Sequence, residues 1–316
     1  MRSLRVACIV AAAFFLAASA GAQDSLRVDV RLVNIVATVM DTSGRYVANL
    51  RASDFAIDED GRRQTIAHFS QDHDIPVSVG ILLDTSSSMD AKIKTASDAV
   101  KRFIRNIHED DDIFLMTFSG EPKLRADFTS NRQKLSKALD SIRLTGGTAL
   151  YDALEEALDK VKSGQHDKRA VLLITDGLDT SSFATANEIA QRIRKSQVLV
   201  YCLGIGEENP QPSPLAFGFP QRKGPGGSRG QRDAVNMTVL RRFADSSGGR
   251  AVLLPERATG AQLDRALTQI ADELRSQYTL GYYPATPDDG RFHTVRVITR
   301  NGYAVRARTG YVAGAN

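Results

Sequence analysis

Five oxygen-bearing side chains have the types and the spacing of a metal site: Asp84, Ser86, Ser88, Thr148 and Asp176. Asp84 directly follows the apolar run VSVGILL, and Asp176 directly follows the apolar run VLLIT. If these runs are parallel strands, their carboxyl ends meet at one edge of the sheet, where ligands bind in open α/β sheets. Oxygen ligands without Cys or His select a hard cation, so the predicted ion is Mg²⁺, or Mn²⁺ or Ca²⁺, rather than Zn²⁺.

The ligand chemistry also predicts what such a site would bind. Hydroxyl ligands are neutral, so the two aspartates only balance the charge of a divalent ion. The ion should therefore seek one more anionic oxygen, which a carboxylate on a partner protein would supply. Taken alone, Ser86, Ser88 and Thr148 could each cap the helix that follows. The joint order of all five residues favours the metal site.

Apolar runs predict the strands that position these residues, and they cover 77–83, 113–118, 171–175, 198–203 and 251–254. Segments with apolar residues at helical spacing separate several of these runs, as Ile93, Ala96, Val100 and Phe103 illustrate. Strands that are apolar on both faces and joined by amphipathic helices indicate a mostly parallel sheet covered on both sides. We therefore expect a doubly wound α/β domain over 76–275.

The two flanking segments, 23–75 and 276–316, have the alternating pattern of exposed strands and several turn sequences. The turn Asp58-Glu59-Asp60-Gly61 is expected to close a hairpin rather than hold calcium, because the later acidic ligand of an EF-hand is missing. We expect the segments to pair into one small β-sandwich-like domain into which the α/β domain is inserted. The alternative is two separate small sheets, each marginal alone.

The order Asp84-x-Ser86-x-Ser88, Thr148 and Asp176-Gly177 resembles the metal-ion-dependent adhesion site (MIDAS) of von Willebrand factor type A domains. The flanks, including the run IPVSVGILLDTSSSMD and the ending YTLGYYPATPDDGRF, look like the exported VWFA-related proteins abundant in Acidobacteria. One departure is Ser87, which stands where DxSGS forms of the motif carry glycine. The resemblance implies the fold and the site, but no settled biological role.

By this resemblance, Ser86, Ser88 and Thr148 would be hydroxyl ligands, and the two aspartates would act directly or through bound water. Asp179 is expected to be a turn residue or an outer acceptor, and Asp152 is a weaker candidate for an outer partner. The resemblance also implies that the last helix of the domain, about 260–275, could move when a ligand binds.

The first 22 residues predict a secretory signal peptide, with Arg2 and Arg5 before an apolar stretch and Ala20-Gly21-Ala22 at the cleavage site. We therefore expect an exported protein, periplasmic or secreted, without a membrane span. Removal of this segment takes away two arginines and lowers the formal charge from +4 to +2. So small a positive charge argues against a dedicated nucleic-acid binder. Cys202 would then be the one cysteine, and we interpret it as a small buried hydrophobe.

Residues 209–232 are rich in proline, glycine and basic side chains, and they hold no acidic residue. Such a segment cannot bury much apolar surface, so a flexible surface loop is predicted. A solvated loop is the simpler interpretation, and weak contact with an anionic surface is the alternative.

Nothing in the sequence indicates an enzyme. The five histidines are scattered, and there is no G-x-S-x-G, H-E-x-x-H or Walker sequence. A nucleophilic Asp84 would need an acidic residue two positions later, where Ser86 stands. The predicted function is metal-dependent, adhesion-type protein binding. The alternatives are a scaffold subunit of an envelope complex with a vestigial metal site, and binding of glycans or anionic envelope polymers through 209–232.

Overall fold

The computed structural model describes residues 32–72, 75–208, 234–285 and 289–314. The predicted signal peptide (1–22) and the predicted loop (209–232) lie outside the described residues, so both stay predictions.

The centre of the molecule is a six-stranded sheet in the order β12-β9-β8-β5-β6-β7. Five strands are parallel, and β7 pairs with β6 in the antiparallel direction at one edge. Every residue of β5, β6 and β9 is buried, because helices cover both faces of the sheet. The strands are β5 (Ser78–Asp84), β6 (Asp112–Phe118), β7 (Pro122–Thr129), β8 (Arg169–Thr175), β9 (Leu199–Ile205) and β12 (Ala251–Leu254).

In the part of the chain that the structure describes, six α-helices flank this sheet: α1 (Ile93–Asn106), α2 (Arg132–Asp140), α3 (Leu150–Lys160), α4 (Ala186–Lys195), α5 (Met237–Ser247) and α6 (Gly260–Arg275). One apolar core joins α1, α2 and α6 to the first face of the sheet, and a second core joins α3, α4 and α5 to the other face. This arrangement confirms the predicted doubly wound, mostly parallel α/β fold.

Two four-stranded antiparallel sheets come from the flanking segments, in the orders β15-β1-β13-β4 and β16-β14-β2-β3. They share one apolar core, which includes Ile35, Ile57 and Tyr278. The strands are β1 (Val33–Met40), β2 (Phe55–Glu59), β3 (Arg62–Gln64), β4 (His68–Asp72), β13 (Gln277–Tyr282), β14 (Phe292–Thr299), β15 (Ala304–Ala307) and β16 (Gly310–Val312). A further short pair joins β10 (Glu207–Glu208) to β11 (Ala234–Val235).

Strands from the two ends of the chain pair directly in this β structure. β1 lies antiparallel to β13, with Val33 opposite Tyr282, and β2 lies antiparallel to β14, with Phe55 opposite Thr299. The predicted hairpin joins β2 to β3, and Asp60 and Gly61 both have positive φ at its turn. The two flanking segments therefore pair with each other, as the predicted fold class requires.

The last helix of the α/β domain leads straight into the flanking sheet, because only Ser276 separates α6 from β13. Glu273, in the last turn of α6, is completely buried. Its carboxylate accepts a hydrogen bond of 3.0 Å from the Tyr201 hydroxyl on β9 and forms an ion pair with Arg306 on β15. A buried polar contact therefore joins the central sheet, its last helix and the flanking sheet.

Two features bear on the remaining expectations. Cys202 is fully buried in β9, and burial raises the pKa of its thiol, as expected for a small core residue. Across the described ranges, no helix combines the length and the apolar character that crossing a bilayer requires.

Candidate metal centre

Asp84 is the last residue of β5, the central strand at which the order of the sheet reverses. The next strand along the chain, β6, pairs with one side of β5, and the later strand β8 pairs with its other side. The topological switch point therefore lies between β5 and β8. The buried Asp84 carboxylate accepts hydrogen bonds from Ser86 N at 2.8 Å and from Thr175 Oγ1 at 2.6 Å. Burial raises the pKa of Asp84 to about 6, against the effect of these two hydrogen bonds.

Asp176 follows β8 and is also completely buried. Its Oδ1 accepts a hydrogen bond of 2.8 Å from Ser88 Oγ, and its Oδ2 accepts one of 2.7 Å from the ammonium group of Lys92. The two aspartates thus face the same edge from neighbouring strands, as predicted, but each carboxylate oxygen already has a protein donor.

Sequence reasoning missed Lys92 and Thr175. Lys92 is the N-cap residue of α1, a position where the helix dipole disfavours a cation. A lysine directly before a predicted helix was therefore the signal that it needs an acidic partner. Thr175 ends β8, and its place in the apolar run VLLIT gives no sign of a polar role. Its role depends on the register of β8 against β5, in which Leu83 lies opposite Ile174.

Ser86 and Ser88 lie on a short turn directly after Asp84, and their Oγ atoms are 3.0 Å apart. Ligands on adjacent corners of an Mg²⁺ octahedron, about 2.1 Å from the ion, lie about 3 Å apart. Because Ser88 Oγ donates its proton to Asp176, it accepts the hydrogen bond from Ser86 Oγ and keeps one further lone pair for a cation. The serine pair therefore has the separation that two hydroxyl ligands on adjacent corners of one small cation require.

Thr148 reaches the same place from the loop before α3. A Cβ atom at Gly177 would lie 3.9 Å from both Thr148 Oγ1 and Ser88 Oγ, so Gly177 keeps the space beside these two hydroxyls free of a side chain. The loop is anchored by a hydrogen bond from Thr145 N to the Thr85 carbonyl at 3.0 Å. Gly147 permits its turn with φ of +81°.

The two further aspartates have structural partners. Asp179 Oδ1 accepts hydrogen bonds from Leu150 N at 2.9 Å and Tyr151 N at 3.3 Å, so it caps the start of α3. Asp152 accepts hydrogen bonds from Phe183 N and Ala184 N, at 3.0 Å and 2.9 Å, and holds the loop after Asp176. Both residues thus fasten the loop and helix that surround the centre.

The arrangement offers two buried carboxylates and three hydroxyls at one sheet edge. Among the residues that the structure describes, there is no group of three or more His, Cys, Asp or Glu placed to hold a metal ion. A donor set dominated by hydroxyls does not depend on such a group, and it suits a hard cation such as Mg²⁺. Metal binding by Asp84, Ser86, Ser88, Thr148 and Asp176 stays a prediction that this geometry fits.

A doubly wound α/β sheet with polar loops at the carboxyl end of its switch point defines a class of Rossmann-like binding domains. Within it, residues 79–178 match the family model of the von Willebrand factor type A domain. This stretch of the chain therefore matches a von Willebrand factor type A domain, which confirms the resemblance drawn from the motif. Domains of this type are generally protein-interaction modules. The likeness of the flanks to proteins of Acidobacteria stays a prediction.

Similar proteins are known from several sources. An uncharacterised protein of Borreliella burgdorferi is 24% identical over 197 residues, which cover 59% of this chain and 55% of that protein. An uncharacterised protein of Synechocystis is 28% identical over 121 residues, which cover 36% of this chain and 29% of that protein. The chain thus spans about half or less of these two relatives.

Among solved structures, proximal thread matrix protein 1 from the mussel byssus, with a zinc-occupied MIDAS motif, is similar with a TM-score of 0.50. It is 16% identical, and the match covers 68% of this chain and 49% of that chain. At this identity the likeness shows the fold alone.

Proposed function

We propose that this chain is an exported, adhesion-type binding protein that captures a partner protein through a divalent cation. The expected ion is Mg²⁺. Asp84, Ser86, Ser88, Thr148 and Asp176 would hold the ion, and an Asp or Glu of the partner would complete its coordination. We assign no enzymatic activity to the chain.

The observation that carries this proposal is the continuous set of contacts from one aspartate to the other. Asp84 accepts from Ser86 N, the Ser86 and Ser88 hydroxyls are 3.0 Å apart, and Ser88 donates to Asp176. Residues separated by 92 positions in the chain are thereby brought to one point. When bound there, the ion would supply a Lewis-acidic position for an anionic oxygen.

An exposed aromatic side chain on the loop after Asp176 supports a protein partner. Phe183 is 98% exposed, although its backbone N–H is held by Asp152. The same loop is joined to Thr148, whose carbonyl accepts a hydrogen bond from Thr180 N at 2.8 Å. An exposed aromatic side chain on a loop whose backbone is held by hydrogen bonds suits an interface anchor, because less conformational entropy of the loop is lost on binding.

The test is calorimetric titration of Mg²⁺ and Mn²⁺ into the EDTA-stripped protein and into its Asp84→Ala and Asp90→Ala variants. Asp90 is exposed and lies just beyond the serine turn, so it controls for loss of a nearby negative charge. We expect saturable binding by the wild type and D90A, and none by D84A. Circular dichroism must show that D84A is folded.

Binding of neither ion by the folded wild type would contradict the proposed metal site and would favour the scaffold function. Equal binding by D84A and the wild type would show that the ion binds elsewhere. Export is tested separately, by locating the protein in cell fractions with and without residues 1–22.

A further inference from the structure

Lys92 places a positive charge inside the candidate metal centre. Its ammonium group is 2.7 Å from Asp176 Oδ2, and both side chains are buried, with 9% and 0% of their surface exposed. Asp176 therefore lies between two donors, the Lys92 ammonium on one oxygen and the Ser88 hydroxyl on the other.

The position of Lys92 makes Asp176 its natural partner. As the N-cap residue of α1, it stands where the exposed N–H groups of the helix repel a cation. Within the described ranges, Asp176 is the acidic side chain at ion-pair distance from it. Lys94, two residues further along, is exposed and makes no such contact with the centre.

We infer that Lys92 is an internal counter-ion of this centre, which weakens the binding of a divalent cation and strengthens the attraction of the loaded site for an anionic partner. This inference rests on the proposed metal-dependent function.

The charges give the physical reason. Asp84 and Asp176 carry two negative charges, and Lys92 cancels one of them before any ion binds. A divalent ion then leaves the centre with one net positive charge, whereas a centre without Lys92 would be neutral. Interactions between charges a few ångströms apart are strong away from bulk water, so this difference should be measurable in metal affinity.

The experiment is calorimetric titration of Mn²⁺ alone into the EDTA-stripped wild-type protein and the variants Lys92→Met, Lys92→Arg and Lys94→Met. We expect K92M to bind Mn²⁺ about tenfold more tightly than the wild type, because a like charge near the ion is removed. K92R keeps the charge and K94M changes an exposed lysine, so both should stay within about threefold of the wild type.

Thermal unfolding provides a second measurement, because K92M leaves Asp176 buried without its cation. Without metal, K92M should have a lower Tm than the wild type, and saturating Mn²⁺ should raise its Tm more than that of the wild type. A K92M protein that stays unfolded at millimolar Mn²⁺ would show that Lys92 is needed for folding and would overturn the inference.

The other outcomes separate this inference from the function on which it rests. If the wild type binds Mn²⁺ and K92M binds it equally or more weakly, the inference is wrong while the metal site stands. If the wild type and all three variants fail to bind Mn²⁺, the proposed metal function itself fails, and the inference falls with it.

Discussion

Tyr201 donates a hydrogen bond of 3.0 Å to Glu273, and both residues are buried where the α/β domain meets the flanking sheet. The Glu273 carboxylate also pairs with Arg306 of β15. Burial and the nearby Glu273 charge raise the pKa of Tyr201, so the phenol stays a donor. This contact ties together segments that are distant in the sequence, and its removal should affect the whole fold.

Glu273→Ala should lower the free energy of unfolding by about 2–4 kcal/mol, because it leaves Arg306 without its buried partner. Glu273→Gln should cost less, since an amide oxygen still accepts from Tyr201. Urea unfolding followed by circular dichroism measures both variants. Asp272→Asn is the matched control, because Asp272 is exposed in the same helical turn. An E273A protein as stable as D272N would show that the contact contributes nothing to stability.

Asp152→Ala should release the loop that carries Phe183. The carboxylate holds the backbone N–H groups of Phe183 and Ala184, so their exchange with deuterium should become at least about tenfold faster without it. Hydrogen–deuterium exchange with mass spectrometry over 177–185 measures this change. Glu156→Ala, an exposed residue on the same helix, should leave the exchange rates of the loop unchanged.

Ser88→Ala and Ser87→Ala separate a predicted ligand from its neighbour. Ser88 Oγ contacts both Ser86 Oγ and Asp176, whereas Ser87 is exposed. We expect S88A to weaken Mn²⁺ binding at least about tenfold, which corresponds to about 1.4 kcal/mol of binding free energy, because a predicted ligand is removed. S87A should change the Kd less than about twofold. Equal Kd values for the two variants would remove Ser88 from the ligand set.

The stability of the flanking sheets should depend on pH through His293. This buried side chain contacts Asp289 at 3.0 Å and Asp60 at 2.8 Å, and it stacks on Tyr311. Its hydrogen bond with Asp289 is the largest cause of a raised pKa of His293, and its hydrogen bond with Asp60 raises that pKa further. A raised pKa in the folded state means that the stabilisation is complete below the unfolded value, about 6.5, and is lost as pH rises through the folded value.

His293→Gln should therefore destabilise the protein more at pH 5.5 than at pH 8.5. The measurement is the difference in the free energy of unfolding between wild type and H293Q at a series of pH values. A difference that is constant over this range, or that grows with pH, would show that the charged imidazole does not contribute.

The central sheet could be predicted because its signal is local. Runs such as VSVGILL are apolar on both faces only when helices cover both sides of a sheet, so the sequence indicates both the strand and its surroundings. The edge strand β7 (Pro122–Thr129) was not predicted. It lies at an edge and is mostly exposed or half-buried, so it has no apolar run to reveal it.

The candidate site divides in the same way. By itself, the sequence determined that two aspartates follow buried strands and that hydroxyls follow the first of them, because strand ends and local spacing are visible in the chain. Only the tertiary structure decided that Thr175 donates to Asp84 and that Lys92 pairs with Asp176. These partners depend on strand register and on the position of a helix end, which arise from packing between distant segments rather than from any local pattern.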